Sequence, residues 1–157
     1  MNSNHLESYF RGQQVSLQWL PVLRALASEM AQHSEASDLR RLFFKIGQRW
    51  ASDTQEFFQS TQSPGQLEEC VNDFWMRINW GWVEFSDMQD HVEIAHFAPP
   101  LAEAFGDEAL PWSSGLLEGF YQHLFHALGA SDTMSVRAVD DGCTGMSIRF
   151  HLGLTKP

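Results

Sequence analysis

The 157 residues, 43% of them apolar, are about one domain's worth of chain, long enough to bury roughly 70% of the surface an unfolded chain exposes without a disulfide or metal staple. Ten Lys+Arg against 20 Asp+Glu give a net charge of -10, which repels phosphate backbones and acidic lipid and excludes nucleic acid as a partner class. No 18 consecutive residues are apolar and no secretory signal precedes residue 10, so a transmembrane helix is excluded and the cytoplasm is the expected compartment.

Residues 1–15 are polar without sustained periodicity and read as an extended N-terminal arm carrying Leu6, Tyr9 and Phe10, with 16–157 forming a single domain. A first helix is expected over 17–32 from the repeat of Trp19, Leu23, Leu26 and Met30; Pro21 is tolerable only in a first turn and moves the start toward Leu20. Ser37 caps a second helix with Asp38 near its positive dipole end and Leu39, Leu42, Phe43, Ile46 and Trp50 on one stripe. Its other face carries Arg41, Lys45 and Arg49, beside Arg40, so four of the ten basic residues fall within ten positions.

Ser63, Pro64 and Gln66 read as a capping box, opening a helix whose stripe is Leu67, Val71, Phe74 and Ile78. The period then changes to two. Trp80, Trp82 and Glu84 alternate with Gly81, Val83 and Phe85; after a turn at 86–90, Val92, Ile94 and His96 alternate with Glu93, Ala95 and Phe97, which makes a hairpin. A short helical segment is expected over 101–105, between prolines. Leu116, Phe120, Leu124 and Leu128, flanked by Leu117, Tyr121 and Phe125, form a helix that stops at Gly129, its stripe wide enough for burial on two sides. A second hairpin joins 134–139 to 146–152 through a turn at Asp140, Asp141 and Gly142. The fold class is therefore α+β: four to five helices packed on a four-stranded antiparallel sheet made of two hairpins.

Chemistry is sparse. His123 and His126 are three apart on a helix but lack a carboxylate to complete a metal site, and His91 and His96 point to opposite faces of a strand. No nucleophile elbow or phosphate loop occurs, and Cys70 and Cys143 lie outside any CxxC spacing and read as small apolar fillers. No catalytic residue, metal or cofactor is expected. The 20 aromatic residues exceed the needs of one core, so some are expected to serve a surface. Trp80 and Trp82 on one strand face could pack in the core, against another subunit, or on a sugar ring, with Gly81 allowing close backbone approach.

The run Ile78-Asn79-Trp80-Gly81-Trp82-Val83, followed some 35 residues later by Leu116-Leu117-Glu118-Gly119-Phe120-Tyr121, resembles the paired signature of the D subunit of bacterial cellulose synthase. The segment 42–51 is similar to that family's second helix, although Lys45 and Trp50 depart from its pattern. The resemblance spans about 37–152. It implies a non-catalytic accessory subunit, an octamer built as four dimers, that helps β-1,4-glucan chains leave the synthases in order and crystallise. Its implied partners are the other cellulose synthase subunits, an accessory scaffold protein and the glucan itself. The chain would then sit at the inner-membrane complex on its cytoplasmic side, or in the periplasm if it handles extruded glucan. The resemblance places Asn79, Trp80, Gly81, Trp82, Glu118, Gly119 and Tyr121 in family motifs serving assembly, and Tyr9, Phe10, Arg11 and Gln13 where glucan would touch. Burial of the stripe Arg41, Lys45 and Arg49 against acidic neighbours would serve the same assembly. The rival expectation is a small-molecule sensor, since such an α+β domain also resembles vesicle-tethering and haem-nitric-oxide modules, which hold lipid or haem.

Overall fold

The computed structural model describes residues 3–155, and for 140–142 the backbone alone. Its helices are α1 (Ser3–Gly12), α2 (Leu20–His33), α3 (Ala36–Thr54), α4 (Pro64–Arg77), α5 (Leu101–Phe105), α6 (Leu110–Ser113) and α7 (Gly115–Ala127). The strands are β1 (Trp82–Asp87), β2 (Val92–Phe97), β3 (Met134–Cys143) and β4 (Ser147–Leu154). Two hairpins meet through β2 and β4, giving an antiparallel sheet of order β1-β2-β4-β3. The protein is an α+β fold with five helices of ten residues or more, and α5 and α6 as single turns.

Local signals account for many boundaries. Ser63 accepts a hydrogen bond from the Gln66 backbone at 3.2 Å and Pro64 opens α4, while the Gln66 side chain reaches one residue further back, to the backbone N–H of Gln62. Pro21 sits in the first turn of α2, which starts at Leu20. Gly129, at φ +103°, ends α7 in a conformation that suits glycine.

The alternation of β2 and β4 puts Ile94, His96, Ile148, Phe150 and Leu152 on the covered face of the sheet, all buried. Against them pack Leu117, Phe120, Tyr121 and Leu124 of α7 and Val71, Phe74 and Trp75 of α4. Trp50 joins the layers: its ring centroid lies 4.9 to 6.0 Å from those of Phe74, Trp75, Trp80 and Phe120. Much of the aromatic excess is one interlocked core, in which edge-to-face pairs add to plain area burial.

Several expectations change. Residues 3–12 are helical rather than extended, but α1 buries none of its side chains. Leu6, Tyr9 and Phe10 give one turn of apolar spacing, and the helix presents them to solvent. On α2 the inward residue is Ala27 and Leu26 is exposed, as is Trp19, which precedes the helix as its N-cap instead of lying on its stripe. On α3 the N-cap is Glu35 rather than Ser37, and Leu42 and Ile46 are exposed, because α7 covers the side of α3 that carries Phe43 and Gly47. The second hairpin does not turn at 140–142: that stretch continues β3 past an irregularity between Ala138 and Cys143, and the chain reverses at 144–146. There Thr144 supplies what the sequence signal missed, its hydroxyl accepting from the backbone N–H groups of Met146 and Ser147.

Candidate functional site

The two motif segments meet in the core. Asn79 and Gly81 take positive φ, 62° and 78°, so the chain reverses between α4 and β1 and the two tryptophans part. Trp80 turns inward, its ring stacked 5.7 Å from that of Trp75; Trp82 turns outward, 46% exposed and stacked on Phe97 at 5.4 Å. The expected shared face is therefore absent, since β1 begins at Trp82 and Trp80 precedes it. Gly81 is required twice over: besides its φ, a Cβ there would fall 1.8 Å from the Phe97 carbonyl oxygen.

A buried polar relay ties the segments together. The Trp75 indole N–H donates to the Tyr121 hydroxyl at 3.0 Å, and that hydroxyl lies 2.6 Å from His96 Nδ1. His96 Nε2 lies 2.7 Å from the Trp80 carbonyl oxygen. A carbonyl only accepts, so Nε2 carries the proton and Nδ1 accepts from Tyr121, which fixes one neutral tautomer. Burial pushes the His96 imidazole down to about 4 and the Tyr121 phenol well above its ordinary range, so both stay neutral around pH 7. Both imidazole nitrogens are committed, leaving His96 no lone pair for a haem iron.

Glycine also brings α3 and α7 together. A Cβ on Gly119 would lie 2.0 Å from the Phe44 carbonyl oxygen, and one on Gly47 would lie 1.8 Å from that of Leu116. Beside this contact Glu118, 13% exposed, pairs with Arg40 at 2.7 Å and accepts from the Ala138 backbone N–H at 2.8 Å. Arg40 further donates to the Pro111 carbonyl and, at 3.1 Å, to Ser114 Oγ, so its guanidinium is used internally. Glu118, Gly119 and Tyr121 thus act within one chain: a strand clamp, a close approach and the centre of the relay.

The basic residues of α3 divide. Arg40 is internal and Arg41 pairs with Asp38 of the same helix. Lys45 and Arg49 are exposed, and among the described residues neither has a carboxylate within 4.0 Å. With Leu42 and Ile46 they make an uncovered face of α3 that mixes cations and apolar side chains. The arm residues sit on or beside α1. Tyr9 and Phe10 are 60% and 63% exposed with their rings edge-to-face at 5.5 Å, whereas Arg11 is engaged with Glu103 and Glu7. The backbone oxygen of Gln13 accepts from Asn79 Nδ2 at 3.4 Å, and Gln14 donates to the Ala98 carbonyl, so the helix is tethered where β1 starts and β2 ends.

Sequence reasoning missed His96, Trp75 and Arg40. The signal for His96 was present, since it follows Val92 and Ile94 on the inward face of β2, where a buried histidine needs partners. Of the other histidines, His91 lies against His151 with ring centroids 4.0 Å apart and planes tilted by 37°, and His126 Nε2 lies 2.8 Å from the Met134 carbonyl oxygen. Among the described residues no three His, Cys, Asp or Glu side chains are arranged to hold a metal. Both cysteines are free and half-buried, and burial raises both thiols.

The fold and this junction define an α+β domain whose recognisable residues hold two motif segments together. The family model for the D subunit of cellulose synthase matches residues 5–151, nearly the whole chain, and the protein belongs to that family. Its role is that of an accessory component in cellulose synthesis. No curated protein matches the sequence. Among solved structures, the crystal structure of a trafficking protein particle complex subunit 3 from Naegleria fowleri, covalently bound to palmitic acid, is similar at 13% identity and a TM-score of 0.57, covering 87% of this chain and 93% of the other. That likeness is one of fold alone. No described helix is long and apolar enough to cross a membrane.

Proposed function

We propose that this protein is a non-catalytic, ring-forming subunit, an octamer of four dimers, that keeps β-1,4-glucan chains in order as they leave the cellulose synthase. The observation that carries the reading is the family match over 5–151, which includes both motif segments and the relay joining them. The surface supports it. Lys45 and Arg49 are uncovered cations on a chain of net charge -10, and an acidic neighbour, a second copy or an accessory scaffold protein, complements them. Glucan contact falls to Tyr9, Phe10 and the side chain of Gln13, with flat rings stacking on the apolar faces of glucose; Arg11 serves to hold α1 in place. We place the ring on the cytoplasmic side of the synthase complex, where it aligns synthases and through them the chains.

The test is cellulose made by cells with and without the protein. Loss should lower crystallinity by X-ray diffraction, and the wild-type chain should restore it, whereas cellulose unchanged in amount and order would contradict the reading. A second reading rests on an apolar groove of about 330 Å³ lined by Leu67, Phe85, Val92, Phe125 and Leu128, which suits an acyl chain such as the one its fold neighbour carries. Lipid co-purifying with the protein, found by mass spectrometry, would favour it.

A further inference from the structure

The order β1-β2-β4-β3 leaves β1 and β3 as edges, and an edge strand normally offers free N–H and C=O groups to a strand of another chain. Here side chains of the preceding helix occupy part of each edge, at Val83 and Phe85 of β1 and at Val136 and Ala138 of β3. On β1, the Asn72 amide accepts from the Val83 N–H at 2.7 Å and donates to the Val83 carbonyl at 2.9 Å, while Glu68 accepts from the Phe85 N–H at 2.8 Å. On β3, Gln122 accepts from the Val136 N–H at 3.1 Å and Glu118 from the Ala138 N–H at 2.8 Å.

The two edges use one arrangement. In each, a glutamate and an amide residue stand four apart on the helix that precedes the hairpin, α4 or α7. The amide residue holds the N–H nearer the start of the strand, and the glutamate holds the N–H two residues on. Helix and strand therefore run in opposite directions. Four helical residues advance about 6 Å and two strand residues about 7 Å, so an i,i+4 pair is commensurate with alternate strand N–H groups. The domain is a repeated helix-hairpin unit, α4-β1-β2 and α7-β3-β4, with the same edge closure in each half. Asn72, giving and accepting at one residue, reproduces what a neighbouring strand would offer.

We propose that Glu68 with Asn72, and Glu118 with Gln122, are edge guards that prevent this sheet from adding strands of other copies, so that self-association stays on side-chain surfaces and ends at a closed size. An assembling protein with open edges at both ends of its sheet would pair without limit. The guards act whether or not the closed assembly is an octamer, because what they limit is growth beyond whatever size the wild type reaches.

The test is placed on β1, since Glu118 also holds Arg40. In full-length Glu68→Ala/Asn72→Ala, amide exchange by NMR or mass spectrometry at Val83 and Phe85 should quicken about fivefold to tenfold, with Ile94 unchanged. Sedimentation over rising concentration should show open-ended growth that the wild type lacks, and Glu68→Gln, which keeps an acceptor, should behave as wild type. Glu68→Ala alone, releasing only the Phe85 N–H, covers the case in which the double variant does not fold. Either of two results would overturn the proposal: protection retained at Phe85 in a folded variant, or quickened exchange with the wild-type mass at every concentration.

Discussion

Replacing Tyr121 by Phe removes one oxygen from the centre of the molecule and leaves the ring. Tyr121 is fully buried, and its hydroxyl both accepts from the Trp75 indole and donates to His96 Nδ1. Without it two buried polar atoms lose their partner, no water replaces the bonds in so small a space, and each stranded group costs about 1–3 kcal/mol. The sum is about 3 kcal/mol or somewhat more. In a chain of this length 1 kcal/mol moves Tm by about 2–4 °C, so a fall of roughly 6–12 °C is expected. Urea unfolding with an unchanged slope would locate the loss in the native state. Tyr9→Phe is the control: that ring is largely exposed and the change should stay within about 0.5 kcal/mol. If Tyr121→Phe were equally silent, the relay would not be holding the two motif segments together.

His96 makes stability depend on pH. Its folded value of about 4 lies below the ordinary 6.5, so the unfolded chain takes up the proton first; stability is whole above about pH 6.5 and declines as pH falls to about 4, by about 1.4 kcal/mol per unit and about 3 kcal/mol in all. Urea midpoints equal at pH 7 and pH 5 would contradict this. Gly119→Ala gains up to about 1 kcal/mol in helix propensity but drives a Cβ to 2.0 Å from the Phe44 oxygen, and overpacking of about 1–3 kcal/mol or more decides the sign as a loss, read as a lower Tm. Lys45→Glu with Arg49→Glu should leave monomer stability within about 0.5 kcal/mol, since both are exposed and have no carboxylate partner among the described residues, yet lower the native mass measured by light scattering.

What could be read from the sequence were features set by local rules. The Ser63-Pro64 start of α4, the break at Gly129 and the alternation of β2 and β4 are written in neighbouring residues, and the α+β class follows from them. What could not be read depends on contacts distant in sequence. Leu42 and Ile46 share the helical stripe of Leu39 and Phe43, but α7 approaches through Gly47 and Gly119, and that approach decides which side of α3 is covered. The parting of Trp80 and Trp82 needs positive φ at Asn79 and Gly81, which alternation cannot signal. In α1 the three apolar residues are too few to declare a helix, and the tether at Arg11 lies 92 residues away in Glu103. The site was half visible: the motif segments were recognisable as motifs, whereas the histidine that joins them was hidden in a strand.

The most direct test of the central claim is the mass of the purified protein in solution, by light scattering or native mass spectrometry at micromolar concentration. The account predicts eight chains of 17.9 kDa, about 143 kDa, with the dimer as the species released first on dilution or added salt. A single species of 17.9 kDa at every concentration and ionic strength would contradict it.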